Sequence, residues 1–301
     1  MVNFLQDLFG RKKTGQTSSS VAVETVPLSK EQLDSANQVE PHYLPTQFRV
    51  GMAQSVGQQR DHNEDTLFAM QAIFSDENNN LPFGIFIVAD GMGGHLHGEI
   101  ASGTAARTLG QYVLTHFYAP LLSGISPSDL ESLHELLENG VEEANRAVIE
   151  AAPGGGTTLT AALVLGDQVT IAHVGDSRVY FIYPDGRIQL MTQDHSLVRR
   201  LQDLGQIDEK EATTHPQRNV LYRAIGQREP FQPDINSHIF PHPGYMLLCS
   251  DGLWGSVPGE EILRMVLSTP DPSIACRNLV DAANAAGGPD NISVILVQYL
   301  D

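Results

Sequence analysis

The sequence predicts an α+β domain, on three observations. Short apolar runs of strand length cluster together, helical patterns form separate groups, and no repeating strand–helix–strand series links them. The composition permits such a domain, since 301 residues with 41% hydrophobic side chains suit one large domain or two small ones around a sizeable core.

Residues 1–46 read as a disordered leader ahead of a domain spanning 47–301. TGQTSSS is polar and low in complexity, and VETVPLSKEQLDSANQVEPHYLP keeps no period. At the start, MVNFLQDLFGRKK sets Phe4, Leu5, Leu8 and Phe9 before Arg11, Lys12 and Lys13. This amphipathic stretch is too short to anchor alone and lacks the apolar region and cleavage site of a secretory signal.

Within the domain, FGIFIVAD (Phe83 to Asp90) reads as a buried strand ending in an acid and then glycines. Glu99 to His116 repeats apolar or small residues at helical spacing. Ser128 to Ala152 reads as a second helix, with Asp129 and Glu131 placed to favour its N-terminus. Thr157 to Thr192 reads as a β-meander with GD and PDG turns. Residues 196–228 carry Arg199, Arg200, Lys210, Arg218, Arg223 and Arg228, six of the 18 basic residues, and read as an inserted surface flap. YMLLCSDG and NISVILVQYL are further strands. Between them lie helices over Glu260–Leu267 and Pro272–Ala286, with Gly287 and Gly288 as stops.

Several function classes are disfavoured. The net charge of −18 argues against non-specific nucleic-acid binding. No run approaches the ~18 apolar residues of a membrane span, so no membrane partner is expected. Two cysteines make no disulfide framework. Cys249, in an apolar run, and Cys276, in a helical pattern, read as buried thiols of a reducing cytosol, and the expected location is cytoplasmic.

The chemistry concentrates in acids at turns. RDHNED holds Asp65, VADGMGG holds Asp90, LLCSDGLWG holds Asp251, GGPDNISV holds Asp290 and HVGDSR holds Asp176. One Asp-Gly step is an ordinary turn. It is also a source of carboxylate and carbonyl oxygen for a hard cation, with glycine permitting close approach. Repetition favours the second reading. Several ionised Asp in one pocket would repel by about 4 kcal/mol per close pair at an effective dielectric near 20, and cations remove that penalty. Oxygen-only ligands select Mg²⁺ or Mn²⁺ over zinc or copper. Thr157 and Thr158 after the glycine run read as a turn into a core strand, since the P-loop lysine is missing.

RDHNED, VADGMGGH, GGGTTLTAALV, AHVGDSRVYF, TQDHSLVRRLQDLGQI, HPQRNVLYRAIG, LLCSDGLW and PDNISVILV, in this order, resemble the bacterial branch of the type 2C metal-dependent Ser/Thr protein phosphatases. The match runs from about Phe48 to Tyr299. The resemblance implies two packed antiparallel sheets flanked by helices on both outer faces. It implies two Mn²⁺ or Mg²⁺ ions per site, with a weaker third. Asp90 would bridge the pair and the Gly91 carbonyl would bind one ion. Asp251 and Asp290 would bind the other, with Asp65 and Glu64 acting partly through water. Arg60 would hold the substrate phosphate, and Asp176 with Asp251 would hold the third ion.

The implied reaction is in-line hydrolysis of phosphoserine and phosphothreonine by a hydroxide bound between two metals, without a phosphoenzyme. The implied partners are phosphorylated proteins and a Ser/Thr kinase whose action the enzyme opposes. The chain departs from the family twice. Met92 stands where animal members carry a His, leaving His95 as the candidate general acid. Gly255 stands where many relatives carry an Asp near the third metal. His62 and His195 read as structural, and His97 is assigned no role. Alternatives from the sequence are a phosphatase of small phosphoesters on the same site and a phosphoprotein-binding pseudoenzyme. The presence of Asp65, Asp90, Asp251 and Asp290 argues against the latter.

Overall fold

A computed structural model of the chain describes residues 47–75, 80–93, 96–126, 129–228 and 231–300. The expected leader and His95 lie outside the described residues. Two-sided burial decides which segments become central strands. In β3 (Asn80–Ala89), Ile85 and Ile87 face one apolar cluster while Phe86 and Val88 face another. The same alternation sets Leu247 and Cys249 against Met246 and Leu248 in β11 (Gly244–Cys249). In β12 (Ile292–Leu300) it sets Val294 and Leu296 against Ile295 and Val297.

Among the described residues, two five-stranded antiparallel sheets form. One runs β1 (Gln47–Ser55), β12, β11, β8 (Arg178–Ile182), β9 (Ile188–Leu190). The other runs β10 (Asp234–Ile239), β7 (Gln168–Val174), β6 (Leu159–Leu165), β3, β2 (Thr66–Ser75). A third cluster, in which fully buried Phe181 stacks on Phe240 and fully buried Phe86 meets Phe48 edge-on, fills the space between them. Each such side chain contributes about 1.5–3 kcal/mol through burial.

Helices close the outer faces. α1 (Leu96–Val113) and α3 (Leu133–Ala151) cover the β2–β3–β6–β7 face. Between them a π-helical turn over Leu114–Tyr118 and α2 (Ala119–Leu122) extend α1. On the other face lie α7 (Gly259–Ser268) and α8 (Pro272–Ala285). Short pieces complete the chain: β4 (Gly91–Met92) pairs with β5 (Gly156–Thr157), and α6 (Asp251–Trp254) follows β11. The layer order is helix, sheet, sheet, helix, the architecture the family resemblance implied. Both cysteines are buried free thiols. Among the described residues, no helix is long and apolar enough to cross a membrane.

Two expectations need correction. The second helix begins at Leu133, not Ser128, because Ser132 and Glu135 form a reciprocal capping box there. The meander from Thr157 is not one sheet. β6 and β7 belong to one sheet and β8 and β9 to the other, so the chain crosses the sandwich at Gly175–Ser177. Residues 196–228 contain α4 (Leu197–Asp203) and α5 (Glu209–Thr214). Their return is bound to β5 by mutual backbone hydrogen bonds between Thr157 and Ile225.

Candidate metal centre

Four points where strands end or begin meet at one end of the sandwich. Asp65 precedes β2, Asp90 follows β3, Asp251 follows β11 and opens α6, and Asp290 precedes β12. Asp176 sits in the sheet-to-sheet crossover. The acids are electrostatic neighbours: Asp90 feels Asp65, Asp251, Asp176 and Asp290. Asp65 and Asp176 are buried, and Asp90, Asp251 and Asp290 are half-buried. Burial first, then mutual repulsion, pushes the Asp90 and Asp176 carboxyls well above the usual carboxylate range. Asp65 and Asp251 move in the same direction, again chiefly through burial.

Close backbone approaches shape the site. A Cβ on Gly91 would collide with the carbonyl oxygens of Gly98 and Glu64, so glycine lets three backbone segments converge beside Asp90. Glu64 is buried, and His62 Nε2 lies 3.0 Å from its Oε1. Arg60 sits at the mouth, where its Nη2 donates to Asp290 Oδ2 at 2.7 Å with the Arg60 side chain 49% exposed. Asp290, Glu64 and Asp251 all hold the guanidinium charged. Of the sequence-predicted site residues, Arg60, Glu64, Asp65, Asp90, Gly91, Asp176, Asp251 and Asp290 therefore lie around one cluster. His95 lies outside the described residues.

Polar supports that sequence reading missed fix these acids. Thr158 Oγ1 accepts from the Asp90 N–H at 2.9 Å and bonds Ser177 Oγ at 2.8 Å. The Thr158 N–H and the Thr157 hydroxyl each lie 2.8 Å from the Asp90 carbonyl oxygen. The Ser250 hydroxyl donates to Asp65 Oδ2 at 2.9 Å. Asn291 accepts from the Glu64 N–H at 2.8 Å and donates to the carbonyls of Val56 and His62, which staples the 56–64 loop to β12. The signal present in the sequence was polar residues flanking each acid inside apolar runs. His195 accepts from the Gly175 N–H through Nδ1 at 3.1 Å, so its Nε2 carries the proton facing Asp234 Oδ2 at 3.1 Å.

The donor set fits hard divalent cations. Asp65 Oδ1 and Asp251 Oδ1 are buried without a hydrogen-bond partner, a costly state for an ionised carboxylate that a cation relieves. Among the described residues, no three His, Cys, Asp or Glu side chains form a closed cage for one ion. The set suits ions that take one or two carboxylates each and keep water in the rest of their shell, as Mg²⁺ does.

The family model described as Protein phosphatase 2C matches residues 50–292. Protein phosphatase PhpP of Streptococcus pneumoniae is 36% identical over 254 residues, covering 82% of this chain and 96% of that protein. The crystal structure of the serine/threonine phosphatase PstP/Ppp of Mycobacterium tuberculosis matches with a TM-score of 0.69 at 30% identity, covering 83% of this chain and 98% of that one. The catalytic domain of PstP in complex with 2 manganese ions matches with a TM-score of 0.67 at 29% identity, covering 84% and 99%. With this likeness in sequence and fold, the chain belongs to the protein phosphatase 2C family.

Proposed function

We propose that the chain hydrolyses phosphoserine and phosphothreonine esters in proteins, using two divalent cations, Mn²⁺ or Mg²⁺, held by its carboxylate cluster. The observation that carries this reading is the cluster itself. Carboxylates from five separate segments are gathered at one end of the sandwich, with buried oxygens of Asp65 and Asp251 left unpartnered. Asp90 would be the central ligand, the role the family resemblance gives it, and it lies within electrostatic reach of the other four aspartates, as Asp251 also does. The Gly91 carbonyl would hold one ion and Asp251 with Asp290 the other, with Glu64 and Asp65 supporting the pair. Asp176 with Asp251 would hold a weaker third ion. When bound, such cations would activate a water near neutral pH and offset charge on the phosphoryl oxygens.

The chain's own residues do the rest. Arg60 is exposed, charged and at the rim of the cluster, where its fork can pair with two phosphate oxygens. Thr157, Thr158, Ser250 and Asn291 hold the acids in place, so little reorganisation is needed as charge moves to the leaving oxygen. His95 is the proposed proton donor to the leaving alkoxide. The substrates are phosphoproteins, and a Ser/Thr kinase of the same cytoplasm is the natural opposing activity.

Phosphate release from a panel of phosphoserine and phosphothreonine peptides tests the proposal. Release should require added Mn²⁺ or Mg²⁺ and should fall by at least about 100-fold in Asp251→Asn. Metal-independent release, or an Asp251→Asn enzyme as active as wild type, would reject it.

A further inference from the structure

We infer that Trp254 is a positioning residue for cation binding between Asp176 and Asp251, an indole strut that sets the spacing of the two acids. The inference rests on the reading of those acids as ligands and adds a residue that sequence and family pattern left without a role. The two carboxylates belong to different parts of the fold, Asp176 in the crossover and Asp251 at the end of β11. Trp254 connects them. It lies in α6, three residues after Asp251, and its Nε1–H donates to the Asp176 carbonyl oxygen at 3.0 Å.

The strut is braced. The Arg178 guanidinium stacks over the Trp254 ring with its Cζ 3.6 Å from the centroid. Arg178 opens β8, two residues after Asp176, and is itself fixed by both oxygens of buried Asp194, at 3.0 and 2.7 Å, and by the Tyr180 hydroxyl. The ring therefore cannot rotate without breaking the stack, and the indole N–H is held toward the crossover. Position 255 offers no competing support. A Cβ on Gly255 would lie 2.7 Å from the Asp251 carbonyl oxygen, so a carboxylate there would require the turn to shift. Spacing in this chain is thus carried by the indole and not by an acid at 255. One carboxylate oxygen of Asp251 is buried and unpartnered, which leaves a charged group free to face a cation.

The test is Mn²⁺ binding by the full chain, followed by the electron paramagnetic signal of free Mn²⁺. Wild type should bind in tighter classes and one weaker class, and Asp176→Ala should lose the weaker class alone. Trp254→Phe keeps a six-membered ring against Arg178 but loses the pyrrole ring with its N–H, and with it the hydrogen bond to the Asp176 carbonyl. It should weaken the weaker class by about five-fold, the worth of one hydrogen bond, and leave the tighter classes unchanged, while the urea midpoint falls modestly with the lost hydrogen bond and packing. A Trp254→Phe isotherm that coincides with wild type, or equal weakening of every class, would overturn the strut. A second reading avoids variants at this position. Trp254 is the only tryptophan, so its emission reports the site directly. Titrated with diamagnetic Mg²⁺, the emission change should follow the weaker class and vanish in Asp176→Ala; saturation with the tighter classes would contradict the inference. If wild type has no weaker class, or Asp176→Ala keeps it, the ligand reading of Asp176 fails and the strut falls with it.

Discussion

Replacing Thr158 with Val keeps the shape of a fully buried side chain and deletes one hydroxyl. That hydroxyl accepts from the Asp90 N–H at 2.9 Å and bonds Ser177 Oγ at 2.8 Å. Valine leaves the Asp90 N–H without an acceptor and Ser177 without its partner. An orphaned buried polar group costs about 1–3 kcal/mol, and the Ser177 hydroxyl can partly re-aim, so the sum is about 2–4 kcal/mol. A urea slope of about 2–3 kcal/mol/M converts this into a midpoint about 1 M lower. Thr158→Ser keeps the hydroxyl and loses a methyl that packs on Gly175, which costs about 1 kcal/mol. Urea denaturation followed by circular dichroism, with peptide dephosphorylation run in parallel, separates the two. Valine should be the less stable and the less active variant. A Val variant at least as stable as the Ser variant would refute the claim that this hydroxyl anchors Asp90.

Other consequences follow from the same geometry. Gly91→Ala forces a methyl into the Gly98 and Glu64 carbonyls, so it should cost about 3 kcal/mol or more and abolish tight Mn²⁺ binding, read by melting with and without Mn²⁺. Arg60→Ala should lower kcat/KM for a phosphopeptide by about 100-fold, with Arg60→Lys intermediate because an ammonium cannot pair two oxygens in a plane. Its melting temperature should barely change, since the exposed Arg60–Asp290 pair contributes at most about 1 kcal/mol. Burial is the main cause that lifts Asp65 to about 7 and Asp251 to about 6. In metal-free protein these raised values let the folded chain keep protons that the unfolded chain releases. Their stabilising contribution is thus complete below the ordinary carboxylate range and is lost as pH rises toward 7. Mn²⁺ must displace those protons, so the melting-temperature gain from Mn²⁺ should shrink as pH falls from about 7.5 to about 5. A gain independent of pH would contradict this.

The sequence made parts of this molecule legible and hid others for physical reasons. β3, β11 and β12 are buried on both faces, so they stand out as continuous apolar runs. The acids stood out because each sits at a turn beside such a run. The sheet crossing at Gly175–Ser177 was hidden, because strand pattern says nothing about which sheet a strand joins. The helix expected from Ser128, with Asp129 and Glu131 near its start, begins instead at Leu133, because the Ser132–Glu135 capping box fixes the first turn there. The anchors were hidden for a different reason. Thr158 serves Asp90 from 68 residues away and Ser250 serves Asp65 from 185 away, and only the folded topology brings such pairs together. Trp254 is the same case, since nothing in DGLWG reveals that its N–H faces the Asp176 carbonyl.

On the proposed function, the aspartate cluster is a binuclear cation site on which hydrolysis depends. Equilibrium Mn²⁺ binding to wild type and Asp90→Asn, with phosphopeptide turnover measured on the same samples, tests it most directly. Wild type should bind two Mn²⁺ tightly per chain, and Asp90→Asn should lose at least one of them together with turnover. Unchanged stoichiometry and turnover in Asp90→Asn would contradict it.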